Sequence, residues 1–232
     1  MKPIFFNTEM VRAILDGRKT TTRRVLKPKY KDDEYGFEIL TNRHTGQLLR
    51  VEKTDESGDT FDDMRVISPP HQPGDILYVR ETWERLECCC CEGDFTGECF
   101  NTPDDKDGCY VYKASHEITG DARWCPSIHM PKEAARLFLR VTDVRIERLQ
   151  NIDNEGARAE GCDGRCSEPH DGALSDWIQE YDFSVEKFIT TWDSTIKKSV
   201  LDRYGWNANP WVWVFELKKI SKEEALNEKR DA

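Results

Sequence analysis

Apolar positions in this chain fall into short, separated runs whose spacing assigns most of its elements. Met10, Val11, Ile14 and Leu15 share one face of a helix over Thr8 to Asp16, and Gly17 suits the left-handed stop after it. Pro73-Gly74-Asp75 turns into Ile76 to Trp83, whose β-branched and aromatic content reads as a strand. Tyr110 to Lys113 reads as a second strand and Ala135 to Leu149 as a long third one. In the third, Leu137, Leu139 and Val141 share one face while Val144 and Ile146 continue on the other, so a bulge is expected near Thr142. Asp153 caps a brief helix ending near Gly161. Leu174, Trp177, Ile178 and Tyr181 repeat at helical spacing, as do Val185, Phe188, Ile189 and Trp192. Ser184 is the expected cap of that second helix, with Phe183 placed to staple onto Phe188. After Pro210, Trp211, Trp213, Phe215 and Leu217 alternate with Val212, Val214 and Glu216 as a final strand.

Between these elements the chain is polar. Residues 32 to 72 are rich in Asp, Glu, Gly, Thr and Ser, with Leu48 to Val51 as the one strand fragment, and the stretch reads as a weakly ordered insertion. A second insertion, acidic and rich in cysteine, runs from about 87 to 109. Past Ser221 the tail is charged and lacks core residues, the pattern of a frayed helix or disorder. The pattern predicts an α+β fold, one domain over residues 1 to 220 with insertions at about 32–68 and 87–109, and a tail over 221–232.

Hydrophobic residues make up 38% of the 232 and charged residues 34%, so the core must be compact. No apolar run approaches the roughly 18 residues of a membrane span, and Glu9 precedes any apolar stretch of a signal peptide; the expectation is a cytoplasmic protein with no membrane partner. A net charge of −10 excludes a protein that coats nucleic acid by electrostatics alone. The exception is local. Arg18, Lys19, Arg23, Arg24, Lys27, Lys29 and Lys31 crowd residues 17 to 31 with no acidic residue among them, and phosphate, if bound, is expected there.

Four of the nine cysteines are consecutive, Cys88 to Cys91, an awkward arrangement for structural disulfides. Cys88 and Cys91 have the spacing of a zinc knuckle, with Cys99 and Cys109 downstream, and Cys162, Cys166 and His170 offer a second half-site. A structural zinc is one expectation; reduced thiols are the other.

Several segments together resemble the ASCH-domain proteins of bacteriophages and prophages. They are Gly17-Arg18-Lys19-Thr20-Thr21-Thr22-Arg23, Pro73-Gly74-Asp75 leading to Arg80-Glu81-Thr82-Trp83, Pro126 to Pro131, Ala157-Arg158-Ala159-Glu160-Gly161, and Trp206 to Trp213. The resemblance implies a PUA-like small β-barrel with flanking helices and a pocket for a nucleobase or nucleic-acid segment. The family's glycine, lysine and arginine signature matches at Gly17, Lys19 and Arg23, but a threonine replaces the acidic residue often found between the last two. That change is similar to the Lys-x-x-Thr arrangement of small ASCH amidohydrolases that deacetylate N4-acetylcytidine. By that likeness the roles of lysine, threonine and glutamate fall on Lys19, Thr22 and Glu160.

A threonine hydroxyl needs a neighbouring base, and Lys19 suits that role if burial and adjacent arginines lower its pKa, whereas a nearby carboxylate pushes it the other way. Glu160 would orient the amine or protonate the leaving group. Arg18, Arg23, Arg24, Arg80, Trp83 and His129 are the expected contacts to base or phosphate. Each has a plainer reading: a solvated turn for Lys19 to Arg23, a surface ion pair for Arg80 and Glu81, core packing for Trp83, a packed loop for His129. Recognition of a nucleic acid or nucleoside is the first functional expectation, the amidohydrolase the second. The third is an accessory protein that binds a host protein through acidic loops.

Overall fold

A computed structural model describes residues 1–26, 36–41, 48–54, 69–86, 109–116, 123–169 and 178–227. In chain order the elements are β1 (Lys2–Phe5), α1 (Thr8–Leu15), β2 (Thr21–Val25), β3 (Gly36–Thr41), β4 (Leu48–Thr54), β5 (Ile76–Arg80), β6 (Trp83–Leu86), β7 (Cys109–Tyr112), β8 (Phe138–Arg148), α2 (Asn154–Ala159), β9 (Arg165–Pro169), β10 (Ile178–Asp182), α3 (Ser184–Thr195), α4 (Leu201–Tyr204), β11 (Trp211–Ile220) and α5 (Lys222–Asn227). The fold is α+β. Its main sheet is mixed, with strand order β1-β5-β8-β11-β2, and three two-stranded ribbons accompany it. The chain divides into two compact units, Met1–Gly17 with Ile76–Arg140 and Lys219–Ala232, and Arg18–Asp75 with Val141–Lys218.

In the first unit β1 runs parallel to β5, and β5 is antiparallel to β8. Asn7 caps α1 by accepting from Met10 N at 2.8 Å, and Gly17 follows the helix at φ 75°. The strand expected over Ile76 to Trp83 is two strands. β5 stops at Arg80, because Glu81 N turns to the sulfur of Met130 and its carboxylate to Arg136, and the chain re-enters a ribbon at Trp83 opposite Tyr112. The tail also departs from expectation: α5 buries Ala225 completely among Met130, Phe138 and Ile220, and Glu224 pairs with Arg140 at 2.7 Å.

In the second unit β11 lies antiparallel to β2. Phe188 and Trp192 of α3 pack with Leu149, Ile152, Ala157, Val212 and Val214. Trp192 also donates its indole N–H to Tyr204 O at 2.9 Å. Leu48 to Val51 falls inside β4, which pairs with β3, a strand the polar composition hid. Along β8 burial passes from Leu139 and Val141 to Val144 across exposed Thr142, the change of phase expected there.

The helix expected over Leu174 to Tyr181 is corrected where the chain is described. Ile178–Asp182 is the strand β10, antiparallel to β9, while Leu174 and Trp177 lie outside the described residues. The N-cap of α3 is corrected too. Phe183 holds that position and stacks on Tyr181 rather than stapling to Phe188, while Ser184 opens the helix with its N–H on Asp182. No helix among the described residues is long and apolar enough to cross a membrane.

Candidate functional site

Side chains of the second unit converge where β2 begins. Residues 19 and 20 are bonded on two sides. Leu217 N donates to Thr20 O at 2.7 Å, Thr20 N donates to Ala159 O at 2.8 Å, and Lys19 bridges Glu160 in antiparallel fashion. Glu160 is held from its own side by the caps of α2. Asp153 accepts from Gly156 N at 2.7 Å, as its position before the helix predicts. At the other end Cys162 N donates to Ala157 O at 2.9 Å and Gly161 N to Arg158 O at 2.8 Å, the paired bonds of a Schellman turn.

Gly161 takes φ 91° in that turn, a conformation costing an L side chain about 1–2 kcal/mol. Gly161→Ala is therefore expected to lower the unfolding free energy by about that amount in urea titration, and Gly161→Asn by less. An unchanged midpoint would show that this turn does not fix Glu160.

Around Glu160 three charged side chains close into a cluster. Lys19 Nζ donates to Glu160 Oε2 at 2.6 Å, to Glu160 O at 2.9 Å and to Thr21 O at 2.8 Å. Arg23 Nη1 donates to Glu160 Oε1 at 3.2 Å and its Nη2 to Glu147 Oε1 at 2.6 Å. The side chains of Lys19, Arg23 and Glu160 are 0%, 4% and 5% exposed. The solvated-turn reading of this segment is thereby excluded. Burial lowers the Lys19 pKa below its ordinary 10.5; the charge and hydrogen bond of Glu160 oppose this, and Arg24 adds to the lowering. Burial acts the same way on Arg24, with Glu160 opposing, although a guanidinium keeps its proton regardless.

Thr22 is buried on β2 opposite Phe215 and lies outside this hydrogen-bonded cluster. Because side chains alternate along a strand and Arg23 turns to Glu160, Thr22 and Arg24 belong to the other face of β2. Arg18 donates to Gly161 O at 3.4 Å and borders an open cleft of about 320 Å³ with Glu155, Arg158, Ala159, Asp163 and Arg165.

The remaining expected contacts belong to the first unit. Arg80 Nε donates to Met130 O at 2.8 Å, and its guanidinium lies 5.5 Å from the Phe5 ring. Glu81 does not form a surface pair with it. Its carboxylate, 1% exposed, takes Nε and Nη2 of Arg136, both at 2.9 Å, and that guanidinium lies 4.0 Å from the Tyr112 ring. Trp83 packs on Tyr110, and among the described residues its buried indole N–H has no partner. His129 is exposed in the turn Ser127–His129.

Cys125, Cys162 and Cys166 are free thiols. Cys162 is buried with Sγ 3.8 Å from Thr191 Oγ1, and burial pushes its thiol pKa up. Among the described residues no three His, Cys, Asp or Glu side chains gather to hold a metal. Cys88 to Cys91, Cys99 and His170 lie outside the described residues. Motif reading missed Glu147, Arg158, Arg165 and Arg136. Only Arg158 carried a signal, as a member of the Ala157 to Gly161 segment.

No family model matches the chain, and no curated protein or solved structure matches it.

Proposed function

We propose that the chain is an ASCH-type, PUA-like module whose Lys19–Glu160 site receives a nucleobase, as a nucleoside or within a nucleic acid. The buried cluster carries this reading. Two motif segments separated by 141 residues supply the two ends of one 2.6 Å ion pair. Buried charges recover little net stability, since apolar replacements of similar shape are often neutral or better, so such a cluster is better explained by what it binds. A base edge presents amine and carbonyl groups together. Lys19 spends its three donors on Glu160 and Thr21, whereas the Glu160 carboxylate keeps lone pairs beyond the two bonds it accepts from Lys19 and Arg23 and is suited to accept from the amine. Among the described residues the five-stranded sheet is open, with β1 and β2 at its edges, so the small barrel expected from the resemblance is not formed there and the α+β class is what supports a PUA-like module.

Calorimetric titration of Thr22→Ala protein with cytidine, N4-acetylcytidine and adenosine tests the reading. Saturable binding of at least one is expected, weakened about tenfold or more by Lys19→Met, which removes the ammonium that holds the Glu160 carboxylate in place. Folded protein that binds no nucleoside and no oligonucleotide overturns it.

The lowered pKa of Lys19 favours a second reading, deacylation of an N4-acylated cytosine. Thr22 Oγ adds to the acyl carbon as its proton passes to Lys19. The C–N bond then breaks, and the departing amine takes the proton from the Lys19 ammonium, with Glu160 orienting the amine. Water afterwards hydrolyses the acyl-threonine.

A further inference from the structure

We infer that the β9–β10 hairpin and α2 extend this site outward into a platform for single-stranded nucleic acid, with Arg158, Arg165 and Arg18 on phosphates and the Tyr181–Phe183 pair under a neighbouring base. The inference rests on the base-binding reading above and names the substrate class.

Three guanidinium groups border the open cleft of about 320 Å³. The cleft adjoins the buried cluster through the chain itself: Arg18 precedes Lys19, and Ala159 precedes Glu160. Tyr181 and Phe183 stack with ring centroids 5.8 Å apart and planes 10° from parallel, yet remain 36% and 48% exposed. Two large rings held against each other in solvent offer a flat outer face, the surface on which an unpaired base stacks. Asp182, between the rings in sequence, takes Nη1 of Arg158 and faces Arg165 in the ladder. Aromatic faces and phosphate-binding cations are thus mounted on one hairpin base.

The carboxylates here position the cations. Asp163 accepts Nε and Nη2 of Arg165 at 2.9 and 2.7 Å, and Lys187 Nζ donates to Asp163 O at 2.9 Å. Arg165 holds the Asp163 carboxyl below the usual carboxylate range, so this counter-ion stays charged. Among the described residues that line the cleft or bond to its lining, Arg18, Arg158, Arg165 and Lys187 exceed Glu155, Asp163 and Asp182 by one positive charge. That small excess predicts weak, salt-sensitive phosphate contact that needs a base contact beside it. A mononucleotide has one base, and the inner site takes it. The outer aromatic face calls for a second, and a duplex hides its base faces, so the occupant is a single strand.

Fluorescence anisotropy with labelled eight-nucleotide single strands of mixed sequence, in competition with cytidine monophosphate, cytidine and a duplex of the same sequence, tests this. The single strand is expected to bind about tenfold or more tightly than the monophosphate, the value of one stacked base. Tyr181→Ala with Phe183→Ala should remove that advantage, leaving cytidine binding unchanged. Arg165→Ala should lower the salt slope by about 0.7 for one lost phosphate contact. Circular dichroism confirms folding of these surface variants. A nucleoside that binds as tightly as the strand overturns the platform and leaves the base site standing. Equal affinity for duplex, or a strand affinity indifferent to the aromatic pair, also overturns it. No binding by any of the probes overturns the base site and the platform together.

Discussion

Glu160→Ala is expected to lower the unfolding free energy by about 3–5 kcal/mol, the loss seen when one partner of a buried ion pair is removed. The substitution leaves an ammonium with no exposed surface and a guanidinium 4% exposed beside a cavity, with Glu147 as the nearest remaining counter-charge for Arg23. Glu160→Gln keeps an oxygen for Lys19 and should lose less. The pH dependence has a definite sign. Unfolded lysine holds its proton up to about 10.5, and folded Lys19, lowered by burial and freed from Glu160, releases it earlier. Between those two values the unfolded state binds more protons, so the stability of Glu160→Ala should rise with pH across that window relative to the parent. Urea unfolding from pH 7 to 10 measures both effects. A loss under about 1 kcal/mol would mean that these charges are solvated.

If the site deacylates, Thr22→Ala and Lys19→Met should each abolish conversion of N4-acetylcytidine to cytidine. The double variant should be no worse than either single one, because nucleophile and base act as a unit. The rate should fall as pH drops and Lys19 is protonated. The geometry makes the test sharp. Thr22 lies outside the hydrogen-bonded cluster, so its hydroxyl reaches Lys19 only if a bound acyl group draws the two together across the edge of β2. Chromatography after long incubation with folded protein decides. No cytidine formed leaves recognition as the function, and turnover that survives Thr22→Ala removes threonine as the nucleophile.

Apolar spacing is legible for the longer elements: α1, α3, β8 and β11 stand where it puts them, and α2 where the Asp153 cap puts it. The elements missed share a physical cause. β2 is Thr-Thr-Arg-Arg-Val, and its Arg23 is buried against glutamates more than a hundred residues away, so no local alternation marks it. β1 buries only Ile4, and α5 buries only Ala225. In β10 five residues are too few to separate a period of 3.6 from a period of 2, and pairing with β9 decided the matter. The site followed the same rule. Lys19 and Glu160 were legible as motif positions, whereas Glu147, Arg165, Tyr181 and Phe183 acquire meaning only once the chain folds back on itself.

The place where that folding back happens is very narrow. Phe183 N donates to Gly164 O at 3.1 Å and Gly164 N to Ser184 Oγ at 3.0 Å. A Cβ built on Gly164 would lie 2.4 Å from Phe183 C, so only glycine fits. Beyond that point β9 and β10 pair with each other, from Arg165 opposite Asp182 to Pro169 opposite Ile178. Closure entropy grows only with the logarithm of loop length, so such a loop is cheaply lengthened, shortened or exchanged. An insertion or deletion in the gene between Gly164 and Phe183 therefore exchanges a stretch of sequence that contains none of Lys19, Arg23, Glu147 and Glu160.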